Sequence, residues 1–289
     1  MNHRADFDSL LPPITFDRRS FIASMVAGGF ALATHPVVAQ TTITTDSEGL
    51  DAGIVEIDSD GFKLPAYFAR PKTGENFPVV LVIQEIFGVH AYIQDVCRRL
   101  AKLGYLAVAP ALHARQGDAT QMTNVPQILS EIVSKVSDAQ VMRDLDHTLA
   151  WAGKNKGNTQ RAAITGFCWG GRTTWLYAAH NPNLKAGVAW YGNFMSSSAP
   201  NQPKRALDVL PELKVPVLGL YGEADSGIPM KDVEAARAAL KAAGNTKSEI
   251  ITYKEAPHAF HADYRPSYRK EAADDGWKRM QAWFKANGV

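Results

Sequence analysis

The sequence predicts one α/β domain, with a mostly parallel central sheet covered by helices on both faces. Three observations lead there. From about Ile54 onward, short apolar runs alternate with amphipathic stretches, the pattern that builds a parallel sheet. The run Pro78-Val79-Val80-Leu81-Val82-Ile83 is apolar throughout, as a strand buried on both faces must be. No internal repeat or low-complexity linker divides the 289 residues, a length that suits one such domain.

The elements follow in order. Arg18 and Arg19 precede an apolar, glycine-containing stretch over 21–33, and Val37-Val38-Ala39 supplies small or modest residues for a peptidase. This is the pattern of a twin-arginine export signal over 1–39, and it predicts a periplasmic mature protein. The apolar stretch is shorter than the roughly 20 residues of a spanning helix, so no stable membrane association is expected after cleavage. Residues 40–53 read as a short linker and 54–289 as the folded domain. Asp60-Gly61 marks a turn before a strand at 64–69, and the buried strand at 78–83 follows. A helix over 92–103 stops at Gly104. Further strands are expected at 105–109, 162–165, 186–191, 215–221 and 249–253. Helices are expected at 141–152, 172–179, 232–243 and 268–286. The polar stretch 116–124 reads as a loop beside the site.

Composition narrows the function. With 31 basic against 29 acidic residues, the net charge is +2, and no Lys/Arg run exceeds two. Nucleic acid is therefore excluded as a partner. At 46% hydrophobic the chain is not a disordered one, and two cysteines cannot staple a disulfide scaffold.

The chemistry centres on Gly166-Phe167-Cys168-Trp169-Gly170, directly after a strand and before a helix. This is the nucleophile-elbow pattern with cysteine in the serine place. Strand and helix backbones meet so closely at such a turn that flanking side chains would clash, and glycines at 166, 170 and 171 avoid this. The turn lifts the sulfur over the carboxyl edge of the sheet, at a helix N-terminus. An activated nucleophile needs a base, and the base needs an orienting group. Gly222-Glu223-Ala224-Asp225 follows a strand with two carboxylates. Asp225 stands further past the strand end and is preferred, with Glu223 as the alternative. His258, after the strand at 249–253, is the candidate base. His258, His261 and Asp263 could suggest a metal, but nothing elsewhere offers paired ligands, and no metal or cofactor is expected. His90, His113, His147 and His180 stand in no comparable context.

The 84–88 segment (Gln-Glu-Ile-Phe-Gly), the elbow, 222–225 and 257–260 together resemble the dienelactone hydrolases of the α/β-hydrolase superfamily. The resemblance runs from about residue 54 to 285. It implies Cys168 as nucleophile, His258 as base and Asp225 as orienting acid. It also implies that Glu85 holds the resting thiol and that the backbone N–H groups of Ile86 and Trp169 form the oxyanion hole. Arg115 matches an arginine that binds the substrate carboxylate. A second anion-binding arginine of the family falls on Ala262 here, with Arg265 three residues further on as the candidate replacement. The reading is a cofactor-free hydrolase of small carboxylic esters or lactones, such as dienelactone. The rival readings are a general esterase, a noncatalytic periplasmic binding protein on the same fold, and a thiol-redox or metal-binding protein.

Overall fold

The computed structural model describes residues 42–196 and 200–289. The export signal read over 1–39 lies outside the described residues. Eight strands form one sheet in the order β1-β2-β4-β3-β5-β6-β7-β8. They span Leu50–Ser59, Phe62–Pro71, Phe77–Ile83, Leu106–Pro110, Gly157–Phe167, Ala186–Trp190, Val217–Gly222 and Glu249–Tyr253. β1 and β2 pair antiparallel, as do β2 and β4, while all pairs from β4 through β8 are parallel. Five principal helices accompany the sheet: α1 Ala91–Lys102, α2 Asp138–Lys154, α3 Trp169–His180, α4 Met230–Ala242 and α5 Lys270–Ala286. α1 and α2 both pack against the strands β3 and β4. Among the described residues no helix is long and apolar enough to cross a membrane.

Two elements depart from the sequence expectation. β1 starts at Leu50, inside the segment read as a linker. It is an edge strand with only Ile57 and Ser59 buried, so it lacks a clean alternation of apolar residues. Its partner is fixed by Asp60-Gly61, both at positive φ (53° and 82°), the two-residue turn that suits a hairpin. The second departure follows Ala119–Gln121, a single helical turn within the predicted loop. Short helical segments then run from Val125 to Lys135. Val125, Ile128, Ile132 and Val133 recur at helical spacing and pack with Ile86 and Phe87 in a small core of their own. That core caps the carboxyl edge, where β3, β5, β7 and β8 deliver the predicted site residues.

Candidate active site

β5 passes into α3 through Cys168 alone, which adopts φ 56° and ψ −114°. Positive φ is strained for a residue with a side chain. Here it is held by hydrogen bonds: the Cys168 N–H donates to the Trp190 carbonyl at 3.0 Å, and its carbonyl accepts from Gly171 and Arg172. The flanking glycines are sterically required. A Cβ on Gly166 would stand 2.2 Å from the Gly170 carbonyl oxygen, and one on Gly170 would stand 2.4 Å from that of Ile83. The thiol lines a small cavity of about 60 Å³ together with Ile86, Trp169, Tyr191, Ile228 and His258.

His258 sits after β8 and Asp225 after β7. Their loops are stitched together by Ala224 N–H donating to the Ala256 carbonyl at 3.1 Å and Glu223 N–H donating to that of Tyr253 at 3.0 Å. A Cβ on Gly222 would strike the Ala256 oxygen at 2.1 Å, so this approach needs glycine. The Asp225 Oδ2 lies 2.6 Å from His258 Nδ1, while Oδ1 accepts from the N–H groups of Gly227 and Ile228. Glu223 instead is exposed and accepts from Thr252, so of the two carboxylates it is Asp225 that meets the histidine. Burial works against a charge on His258, but the Asp225 carboxylate, and then Cys168, outweigh it and hold the imidazole pKa well above its ordinary value. The N–H groups of Ile86 and Trp169 donate to no protein group among the described residues, and both residues line the cavity.

Glu85 is fully buried at the end of β3. Its Oε2 accepts from the Tyr264 hydroxyl at 2.6 Å and lies 3.2 Å from His90 Nε2. Burial opposes its charge, but the His90 hydrogen bond, the Arg265 guanidinium and the Tyr264 hydroxyl prevail and bring its pKa down to about 2. The resemblance implies that Glu85 holds the resting thiol; no hydrogen bond joins Cys168 to it among the described residues. Arg265 is brought to this cluster. Its Nε donates to the Tyr264 hydroxyl at 3.1 Å, and its guanidinium lies 4.7 Å from the centre of the Phe87 ring.

The lowered pKa of Glu85 has a testable sign. A carboxylate with a folded pKa of about 2 and an unfolded value of 4.5 contributes stability above pH 4.5 that is lost as pH falls through about 2. Glu85→Gln should therefore flatten the loss of stability over that interval, read from urea midpoints at a series of pH values. Parallel curves for the two proteins would show Glu85 to be uncoupled from folding.

Arg115 requires a correction. It lines neither the Cys168 cavity nor its larger neighbour. Its guanidinium pairs with the buried Asp144 carboxylate, donates to the Ser59 carbonyl at 3.2 Å and covers the Phe62 ring at 4.2 Å. Asp144 is fully buried and its charge needs a partner, so Arg115 joins α2 to the first hairpin and does not face the site.

Sequence reasoning missed Tyr191, His90 and Tyr264. Tyr191 packs edge-on against His258, ring centres 5.1 Å apart, and its hydroxyl has no partner among the described residues. Burial raises its pKa well above normal, so it stays a protonated donor. No local motif marks any of the three. His261 and Asp263, weighed as metal ligands, are otherwise engaged: His261 Nδ1 with Tyr92 at 2.6 Å, and Asp263 with Arg99.

The family model described as "Dienelactone hydrolase family" matches residues 64–288. A "Putative carboxymethylenebutenolidase" of Methylorubrum extorquens is 59% identical over 286 residues, covering 99% of this chain and 98% of that protein. A protein of the same name from Escherichia coli (strain K12) is 53% identical over 268 residues, covering 92% and 98%. The crystal structure of a "Putative Dienelactone Hydrolase" from Klebsiella pneumoniae superimposes with a TM-score of 0.80 at 55% identity, over 82% of this chain and 98% of that one.

Proposed function

The chain belongs to the dienelactone hydrolase family, and we propose that this hydrolase cleaves small carboxylic esters or lactones through a covalent intermediate on Cys168. The observation that carries the reading is that the elbow cysteine and His258 line one cavity, with Asp225 engaging the far side of the imidazole. In the proposed cycle the Cys168 thiolate attacks the carbonyl carbon, and the carbonyl oxygen becomes an oxyanion facing the Ile86 and Trp169 N–H groups. The carbon–oxygen ester bond breaks, and His258 gives its proton to the departing alkoxide. Water then loses a proton to His258 and attacks the thioester, releasing the acid and restoring the thiolate. Asp225 keeps Nδ1 engaged, so that Nε2 is the nitrogen that exchanges protons. The cycle needs no cofactor.

Dienelactone, opened to maleylacetate, is the substrate proposed within this class. Arg265 is the cation proposed to favour its carboxylate: like Arg115 it lines neither cavity, but its guanidinium is buried on Phe87 and Tyr264 beside Glu85, next to the Ile86 donor. The test compares kcat/KM for dienelactone and for a neutral aryl acetate. A preference for the anion supports the lactone reading, and a preference for the neutral ester leaves a general esterase. An ester-mimicking inactivator that fails to label Cys168 would leave a noncatalytic binding protein. Arg115→Ala should lower stability by about 1.5–3 kcal/mol, the worth of hydrogen bonds to a charged group, with the substrate preference unchanged. A selective loss on dienelactone would return Arg115 to the substrate.

We also propose that the protein is exported by the twin-arginine route to the periplasm, on the strength of Arg18 and Arg19 ahead of a short apolar stretch. Replacing both by lysine should leave the uncleaved protein in the cytoplasm, scored by fractionation. Unchanged export of the double variant would refute this route.

A further inference from the structure

A second, larger cavity of about 440 Å³ opens at the carboxyl ends of β3 and β4, beside the amino-terminal half of the antiparallel β2. It shares no lining residue with the Cys168 cavity. The partition between them is built from the 84–86 segment and Trp169, against whose indole the His113 ring packs edge-on with centres 4.6 Å apart. Its volume falls in the range that encloses small organic ligands. Most of the wall is apolar, supplied by Pro65, Tyr67 and Val89 among others.

Two residues in that wall are polar and almost wholly buried, Gln84 and His113. Both amide atoms of Gln84 and both ring nitrogens of His113 are without a hydrogen-bond partner among the described residues. Buried polar groups are rarely left so, because each forfeits its water without compensation. Gln84 and His113 both belong to the lining of this cavity, and a guest seated there would supply the polar contacts that their side chains lack. We infer that this cavity binds a small uncharged molecule of ring size that both donates and accepts hydrogen bonds, the chemistry of an aromatic carboxamide.

The neutral character follows from the lining. It contains no lysine or arginine, and its one ionisable acid, Asp118, lies exposed at the rim and repels anions. Burial brings the His113 pKa down to about 3, so its ring is neutral, with one nitrogen donating and the other accepting. The Gln84 amide offers the same pair of functions. A carboxamide answers with its own N–H and carbonyl, while its ring covers the apolar wall. The site is independent of the catalytic reading.

The test titrates benzamide into the full chain, with benzoate and toluene as comparators, by calorimetry and by NMR of the ¹⁵N-labelled histidines. Benzamide should bind saturably and at least about tenfold more tightly than either comparator, and should move the His113 imidazole signals without moving those of His258. His113→Phe and Gln84→Met should each weaken binding about 3- to 10-fold, the effect of one lost neutral hydrogen bond. Alkylation of Cys168 with iodoacetamide should leave the affinity unchanged. Absence of saturable binding, or equal affinity for all three compounds, would overturn the proposal and leave the orphaned atoms to water. Shifts at His258, or loss of binding on alkylation, would overturn it by placing benzamide at the cysteine. If a variant fails to fold, the wild-type histidine signals decide.

Discussion

Cys168→Ala should slow ester hydrolysis by at least about a thousandfold while the fold persists. The residue is a small member of the core that lines a cavity with its thiol, and the bulk beside it is supplied by Phe167 stacked on Trp190. Its backbone is held by hydrogen bonds to Trp190, Gly171 and Arg172, none of which involves the side chain. The thermal midpoint should therefore stay within a few degrees of the parent. Cys168→Ser sharpens the comparison. It keeps the shape and the elbow, but its nucleophile ionises far less readily than a thiol. Near-normal turnover by the alanine variant would reject covalent catalysis at this position. Turnover lost together with the folded state would leave the assignment to the serine variant, which should fold and remain slow.

Gly170→Ala should have the second-largest effect, and on stability as well as on rate. The added methyl would lie 2.4 Å from the Ile83 carbonyl oxygen and 2.6 Å from that of Gln84. Both atoms belong to the backbone at the end of β3, so no side chain can turn aside. Either α3 lifts from the sheet or the 83–86 segment shifts, at a cost of about 3 kcal/mol. The second response carries Ile86, a proposed oxyanion donor, out of position. Gly53→Ala is the control, since nothing lies within 4 Å of its Cβ position, and it should change stability by less than about 0.5 kcal/mol. Equal urea midpoints for the two variants would mean that the elbow tolerates the methyl.

The fold was legible wherever a local pattern decided it. β3 is apolar throughout because both of its faces are covered, and the observed strand Phe77–Ile83 differs from the expected one by a single residue. β1 was not legible, because a strand at the edge needs few buried residues and its partner is declared only by the turn. The elbow, Asp225 and His258 could be read because each follows a strand at a fixed place in the order. Arg115 shows the limit of such reading. The same side chain in the same loop can serve a substrate or a buried carboxylate, and only the position of Asp144, on a helix that follows, decides between them. His90, Tyr264 and Tyr191 act through contacts far apart in sequence, Tyr264 meeting Glu85 across 179 residues. No window of sequence contains such a pair.

The order of the strands has a temporal consequence. As synthesis proceeds, the segment bearing Cys168 emerges well before the last strand, β8, which lies at the rim of the sheet and pairs only with β7. His258 follows that strand, so in the proposed cycle the base reaches Cys168 only once β8 has docked. The activation proposed for the thiol is thus left to the finished molecule and to its last, peripheral ribbon.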